Sequence, residues 1–373
     1  MFQNISIVGG GIGGLSLAAA LSHFDVAYQL FEQAPEPRTT GFAITIQKNA
    51  IDALRLIGLD RAVMDAGHLI TRLRITSPRG RVLTEMAAEL CALQRVALQA
   101  TLAAVVPTDR IHFGRHAETS TDGWTIAADG VHSAFRAHVA GNELPPRDSG
   151  STAWRGMTPV GAVALPAEQL DTAIESWGRA KRFGLAPLRG GQVYWFAVIR
   201  NDVAANVAPS DAKAFLAEQA DGWHEPFGQL IEATPADSIL RTPVVDRAPI
   251  PHWHRDRVLL LGDAAHPMTP FLGQGGCQAI EDAVTLGHLF AMVRDGRLDE
   301  TSLATSYERM RKPRVDRIVE LSRQTGRIGD IRNPVLVGLR NLAMRMTPAS
   351  FQQRRMRSMH EFPSPEVSAP LST

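Results

Sequence analysis

Ile5-Ser6-Ile7-Val8-Gly9-Gly10-Gly11-Ile12-Gly13-Gly14, followed by Leu15-Ser16-Leu17-Ala18-Ala19-Ala20-Leu21, is the stretch that decides the fold. Its first four residues form a short apolar run rich in β-branched side chains, which predicts a buried parallel strand. Its last seven combine strong helix formers with a continuous apolar face, which predicts a helix. Between them Gly9, Gly11 and Gly14 make a G-x-G-x-x-G, with Gly13 in the same turn. Glycine serves three needs there: a tight turn, close approach of backbone to a pyrophosphate, and close packing of helix on strand. The helix N-terminus offers unpaired N–H groups and the positive end of its dipole to phosphate. A second strand over residues 26–31 leads to Glu32, whose carboxylate suits the hydroxyls of a ribose. Its separation from Gly9, 32 − 9 = 23, is near the roughly 20 residues such units show. Gln33, beside it, joins the candidate cofactor-binding residues. Strand, glycine turn, helix and acid in register predict a Rossmann-like dinucleotide-binding unit.

The remaining 340 or so residues allow a second domain and a sizeable core. Hydrophobic content of 45% and charged content of 21% are those of an ordinary globular protein. Two cysteines, Cys91 and Cys277, build no disulfide framework, so a reducing cytoplasm is the expected setting. The apolar N-terminus lacks a basic region and is broken by five glycines, unlike a signal peptide. No apolar run is long enough to span a bilayer. The net charge of +1 hides an asymmetry: residues 301–360 carry 13 Arg or Lys against 4 acids, leaving about −8 elsewhere. Solvated helix faces account for such a stretch, and peripheral contact of the basic C-terminal helices with a membrane surface is the alternative. Nucleic acid is not an expected partner, because no aromatic-basic interleaving or binding module accompanies the charge.

Further along, the alternating run Phe42 to Ile46 predicts a strand, and a helix begins near Asn49. Residues 69–83 read as two strands joined at Pro78-Arg79-Gly80, and 94–106 as a helix ended by Pro107. Alternating runs 183–188 and 193–199 flank Arg189-Gly190-Gly191-Gln192, a hairpin signal. Val258-Leu259-Leu260-Leu261 predicts another buried parallel strand. It runs into Gly262-Asp263-Ala264-Ala265-His266-Pro267-Met268-Thr269-Pro270-Phe271-Leu272-Gly273-Gln274-Gly275-Gly276 and then a helix. An acid directly after a buried strand, with a glycine loop feeding a helix N-terminus, makes a polar cradle for a ligand with hydroxyls and an electron-rich ring.

At that loop the sequence resembles the FAD-dependent aromatic hydroxylases, the single-component flavoprotein monooxygenases typified by para-hydroxybenzoate hydroxylase, and most of all the salicylate, 3-hydroxybenzoate and urate hydroxylase branch. Three motifs occur in the family's order: the glycine fingerprint, Asp129-Gly130 within Ala128-Asp129-Gly130-Val131-His132-Ser133, and the Gly262-Asp263 loop. Arg95 with Leu98 and Leu102, Gly41 with Asn49-Ala50, and Trp154-Arg155-Gly156 add lesser matches over roughly residues 3–350. The resemblance implies an α/β fold: a Rossmann-like FAD-binding domain with an inserted, mostly antiparallel β-sheet substrate domain and C-terminal helices. Residues 1–68, 91–145 and 255–300 would form the FAD domain, 69–90 and 146–254 the substrate domain, 301–360 the C-terminal helices, and 361–373 a disordered tail. It assigns Gly9, Gly11 and Gly14 to the FAD pyrophosphate, Glu32 to the adenosine ribose, and Arg38 and Arg95 to the ribose-phosphate region, with Gly13 and Gln33 among the cofactor-binding residues. Asp129 would lie near FAD and the nicotinamide route, Asp263 on the ribityl chain, and Gly273, Gln274, Gly275 and Gly276 at the flavin edge. Asp129 also reads simply as a helix cap. One departure is the short stretch between Gly114 and Ala128, where relatives have room for a small meander; weaker FAD retention is the expected consequence.

The resemblance further implies that NADPH or NADH reduces the flavin, that O2 adds as a C4a-hydroperoxide, and that oxygen passes to an aromatic or heteroaromatic small molecule. The substrate is then expected against Thr45, Tyr194, Phe196, Pro270 and Phe271, with Tyr194 and Pro270 the residues nearest the chemistry. Tyr194 and Phe196 share one face of their strand by alternation; whether that face meets the pocket or packs outward stays open at the sequence level. Arg155 reads as an anion-orienting group or a structural one. His266 reads as part of the loop, and His252 and His254 gather no third ligand type, so no metal is expected. Glu281 and Asp282, adjacent on a helix, are expected on different faces. The chain is expected to be a monomer or homodimer. Related flavin chemistry (epoxidation, oxidative decarboxylation, Baeyer–Villiger insertion) and a repurposed non-redox scaffold are the competing readings.

Overall fold

Ile5–Val8 stands at the middle of a six-stranded sheet. Across that sheet the order is His254–Arg255, Val258–Leu260, Trp124–Ala127, Ile5–Val8, Gln29–Glu32 and Ile111–Phe113. All pairs are parallel except the edge pair His254–Arg255 with Val258–Leu260. The computed structural model describes residues 5–37, 41–115, 123–141, 145–204, 206–348 and 359–365. Arg38 and most of the shortened stretch before Ala128 thus lie outside the described residues. The expected Rossmann-like unit is present, with the helices Ile12–His23 and Gly275–Arg294 packed on the sheet. Small residues let those two helices touch: a Cβ built on Gly287 would lie 2.8 Å from that of Ala20.

The second sheet has eight strands in the order Leu240–Asp246, Arg147–Met157, Val193–Arg200, Lys181–Pro187, Thr172–Trp177, His68–Thr76, Val82–Gln94 and Ala43–Gln47. Every pairing is antiparallel except that of His68–Thr76 with Thr172–Trp177. The predicted hairpin is there, with Lys181–Pro187 paired to Val193–Arg200 and Leu188 N donating to Gln192 O at 2.9 Å. One face buries Trp154, Phe183, Leu185, Trp195 and Ile199 beneath the helices Ala212–Ala220 and Phe227–Ala233. The opposite face looks toward the first domain. Ala43–Gln47, within the span assigned above to the FAD domain, pairs with Val82–Gln94, so this strand ties the two units together. Residues 361–365, expected in a disordered tail, are placed: Phe362 packs on the main core and Pro365 is buried. Among the described residues no helix is long and apolar enough to cross a membrane.

Beneath both sheets lies a buried charged network that the adjacency of Glu281 and Asp282 hid. Both carboxylates are fully buried and both meet Arg311 of the helix Leu303–Gly329, because one guanidinium fork spans neighbouring positions. Arg311 Nε donates to Asp282 Oδ1 at 2.7 Å, its Nη1 pairs with Glu281, and its Nη2 donates to Gln278 Oε1 at 2.7 Å. Asn49 Nδ2 and Arg314 Nε complete Glu281 at 2.6 and 3.1 Å. His266 Nε2, at 2.5 Å, and the backbone N–H of Gly262, at 3.2 Å, complete Asp282. Burial works to raise the Asp282 carboxyl, but His266 and Arg311 more than offset it and hold it below the usual range. Its contribution is therefore present above the unfolded value near 3.9 and is lost as pH falls through the lower folded value.

Arg311→Met is expected to cost about 3–5 kcal/mol, because it strands two buried carboxylates. Adding Glu281→Gln and Asp282→Asn should restore much of the loss. The urea midpoints of the single and the triple variant, set against the parent, measure this, and an unchanged midpoint for Arg311→Met would remove the network from the stability of the fold.

Candidate active site

Three groups of side chains converge along the cleft between the sheets. At the glycine turn, Gly9 has φ +106°, and a Cβ on it would sit 2.5 Å from the carbonyl oxygen of Ala128. Gly14 is more constrained still, its missing Cβ falling 1.9 Å from Gly9 O, while one on Gly13 would press Leu261 at 2.6 Å. Gly11 differs. It caps the helix with φ −75°, and a Cβ there meets nothing within 4 Å. Gly14 thus closes the helix on the strand, Gly9 lets the backbone of Ala128 approach, and Gly11 faces open space where a ligand can approach. Glu32 accepts from Gly10 N at 2.6 Å and from Ala34 N at 2.8 Å. Each carboxylate oxygen has a second lone pair for a ribose hydroxyl. Gln33 is exposed beside it.

Asp129 is not the helix cap that one reading of the sequence expected, although it touches the helix start. Its Oδ2 accepts from Ala134 N at 3.0 Å, whereas its buried Oδ1 has no protein partner. Ser133, not Asp129, caps the helix Ala134–Ala140, accepting from Arg136 N at 3.2 Å. Desolvation raises the Asp129 carboxyl, opposed by Ser133 and Ala134.

At the other end, Asp263 follows the strand Val258–Leu260 within the short turn Gly262–Ala264. Its carboxylate is accessible yet enclosed, and burial raises its pKa against the pull of His266 and Arg95. Its Oδ1 lies 3.8 Å from where a Cβ on Gly275 would be, beside the N-terminus of the 20-residue helix Gly275–Arg294. Gly273 has φ +63°, and a Cβ there would meet Gln47 Nε2 at 2.9 Å and Thr45 Oγ1 at 3.4 Å. Gln47 is the clamp for this loop: its Nε2 donates to Leu272 O at 2.8 Å and its Oε1 accepts from Gln274 Nε2 at 2.6 Å. Gln274 is buried, its side chain taken up by that contact and by Asn49 and Gln278. A Cβ on Gly276 would reach Ile44 at 2.7 Å.

The third group lies on the inward face of the large sheet. Tyr194 and Phe196 share it, with ring centroids 6.2 Å apart. Tyr194 stands between its cross-strand partners Met157 and Ala186 in a cluster that includes Ala43, and Phe196 shares a cluster with Phe271 of the turn Pro270–Leu272. Pro270 is exposed at the start of that turn. Burial raises the Tyr194 phenol against the nearby Arg155, so it stays protonated at neutral pH. Arg155 Nη1 donates to Thr242 Oγ1 at 2.6 Å. Sequence reasoning missed Arg182: fully buried, it lies 4.1 Å over the Phe271 ring, and no hydrogen-bond partner meets any of its three nitrogens. Glu175 and Asp330 approach it at 3.6 and 3.9 Å. A buried arginine on an alternating strand gives no sequence signal of the ring it covers, since Phe271 is 89 residues away (271 − 182). The two thiols are not nucleophiles, burial pushing Cys91 up to about 11 and Cys277 up to about 12. His252 and His254 both face Glu308, and no metal-binding cluster occurs among the described residues.

Comparison with known proteins decides the family. A family model described as an FAD binding domain matches residues 97–322. The chain belongs to the FAD-dependent aromatic hydroxylases. This hydroxylase is 36% identical over 384 aligned positions to an aurachin C monooxygenase/isomerase of Stigmatella aurantiaca, covering 96% of this chain and 98% of that one. It is 30% identical to a 2-heptyl-3-hydroxy-4(1H)-quinolone synthase of Pseudomonas aeruginosa, covering 94% of this chain and 96% of that one. Among solved structures, the Klebsiella pneumoniae enzyme HpxO complexed with FAD and uric acid superposes with a TM-score of 0.84 at 26% identity, covering 99% and 98%. FAD is the cofactor. The residues present fit it: an open Gly11, an orphaned Asp129 oxygen, and an accessible Asp263 beside a helix N-terminus.

Gly11→Val is expected to leave the melting temperature within a few degrees while lowering FAD occupancy at least tenfold. Gly14→Ala should instead disturb the fold, because its methyl would strike Gly9 O. Asp263→Ala should weaken FAD by roughly tenfold or more, the worth of a hydrogen bond to a charged group. Flavin absorbance per protein, measured beside thermal unfolding, separates these outcomes; full loading of Gly11→Val would contradict the phosphate assignment.

Proposed function

We propose that this hydroxylase consumes NAD(P)H and inserts oxygen into a neutral heteroaromatic ring bearing a ring N–H and a carbonyl, of the 4-quinolone type. The observation that carries the reading is the aromatic lining of the inward face. The rings of Tyr194 and Phe196 stand 6.2 Å apart and Phe196 shares a cluster with Phe271, while the buried Arg182 over Phe271 is already faced by Glu175 and Asp330 at 3.6 and 3.9 Å. A neutral, largely apolar ring suits such a wall. The likeness to a 4(1H)-quinolone synthase supports the same class.

Bound FAD supplies the redox and oxygen-transfer chemistry, with electrons from NAD(P)H and oxygen from O2. The chain's own residues bind and orient. In this reading, N–H groups of the glycine turn hold the pyrophosphate, Glu32 and Arg95 the adenosine side, and Asp129 the middle of the cleft. Asp263 takes the ribityl hydroxyls. The backbone of Gly273 to Gly276, held by Gln47, lines the ring edge at the positive end of a helix, where negative charge is stabilised. Thr45, Pro270 and Phe271 flank the substrate ring on one side, and Tyr194 and Phe196 on the other. Their apolar surfaces exclude water from the reacting centre. The protonated Tyr194 phenol is placed to donate to a substrate oxygen. Two unpaired cysteines, Cys91 and Cys277, are in keeping with a reducing cytoplasmic setting.

Turnover with a panel of 4-quinolones, salicylate and urate under 18O2, followed by mass spectrometry, tests the substrate class. A single labelled oxygen in a quinolone product is expected, and label in an aromatic acid alone would overturn the reading. Tyr194→Phe should lower kcat/KM about tenfold, near the net worth of one hydrogen bond, with FAD still bound. Unchanged kinetics would take Tyr194 out of the site.

A further inference from the structure

Gln47, the residue that clamps the loop before Gly275, has its hydrogen-bonding capacity filled. Its amide nitrogen donates to Leu272 O at 2.8 Å and to Gly273 O at 3.3 Å, and its amide oxygen accepts from Gln274 Nε2 at 2.6 Å. Three of the four bonds such an amide can make thus go to consecutive residues of the loop. The fourth comes from far along the chain: His360 Nε2 lies 2.8 Å from Gln47 Oε1. The two carbonyl oxygens on the nitrogen side fix which way the amide points. An amide oxygen only accepts, so the imidazole donates and its hydrogen sits on Nε2. Burial, with Arg314 and Lys48 nearby, lowers the His360 pKa, so the ring is neutral at neutral pH.

The segment that carries His360 has anchors of its own. Met359 is buried, Phe362 packs on the main core, and Arg314 Nη2 donates to Met359 O at 2.6 Å. The same Arg314 pairs with Glu281 at 3.1 Å. Glu281 accepts from Asn49, which also donates to Gln274, so segment and loop are tied to one charged network. Gln47 is itself buried. Without His360 its amide oxygen would lose one of the two donors that hold it, leaving a buried lone pair unmet. A contact that only pinned the chain end could finish anywhere on the core. This one finishes on the side chain that sets Gly273, where φ is +63° and a Cβ would meet Gln47 Nε2 at 2.9 Å.

We propose that His360 is a positioning residue for the cofactor: through Gln47 it holds the backbone of Gly273 to Gly276 in the shape that receives the flavin ring. The inference rests on the reading of that loop as the flavin edge and does not require the quinolone reading.

The rate of FAD release from the full-length holoenzyme tests it, followed as the rise in flavin fluorescence on dilution and set beside thermal unfolding. His360→Leu is expected to speed release about fivefold, near the net worth of one hydrogen bond, with the melting temperature within a few degrees of the parent. His360→Gln keeps a nitrogen donor and should restore most of the difference. Gln47→Leu should speed release by itself, and adding His360→Leu to it should change nothing further. Suppose Gln47→Leu speeds release while His360→Leu alone does not, or while His360→Leu has the same effect in both backgrounds or is not rescued by His360→Gln. The proposal is then overturned and the flavin-edge reading stands. Release unchanged by Gln47→Leu would overturn both together.

Discussion

One arginine joins the parts of this molecule that must not move. Arg311 reaches from the helix Leu303–Gly329 to two adjacent carboxylates on the helix Gly275–Arg294, and each carboxylate then secures a different piece of the cleft. Asp282 binds His266 and the backbone of Gly262, fixing the turn that carries Asp263. Glu281 binds Asn49 in the first turn of the helix Lys48–Arg55, and Gln47, at the end of the strand before it, clamps the loop before Gly275. Replacing such a network by apolar residues need not weaken a protein, so its value here lies in geometry rather than in net stability. The charges are buried because the loops they hold are the walls of a cofactor site.

The domain plan serves the same end. Ala43–Gln47 belongs by pairing to the large sheet and by position to the cofactor cleft, which lets one five-residue strand bring Thr45 and Gln47 to the flavin loop. Gly326 contributes from the far side, since a Cβ there would fall 2.3 Å from the Phe271 ring. Thr269 and Ser322 fasten the same turn to the helix at 2.8 Å. A substrate between Phe271 and the Tyr194–Phe196 face would therefore meet walls fixed from three directions.

Much of this could be read in the sequence wherever the constraint is local. Gly14 is required by a contact within the strand–turn–helix unit itself, Gly9 by its positive φ in the turn, and the hairpin at Gly190-Gly191 by its turn. Alternation showed that Tyr194 and Phe196 lie together, but only the strand order reveals which domain their face looks at. Glu281 and Asp282 illustrate the limit: helical spacing separates their directions, yet a guanidinium arriving from 30 residues away gathers both. Arg182 and Gln47 escaped for the same reason. Their partners are set by tertiary packing and leave no period in the chain. The stretch before Ala128 is short in sequence, and its effect on FAD is a question for binding measurements.

The central claim is that this chain holds FAD in the cleft and uses it to oxidise a ring bound against Tyr194 and Phe271. Anaerobic stopped-flow reduction of the purified, flavin-loaded protein by NADPH and by NADH, with and without a 4-quinolone, addresses it most directly. The account predicts a flavin spectrum that bleaches with nicotinamide, and faster when the ring compound is present. A protein that purifies without flavin, or whose flavin neither nicotinamide reduces under any ligand, would contradict it.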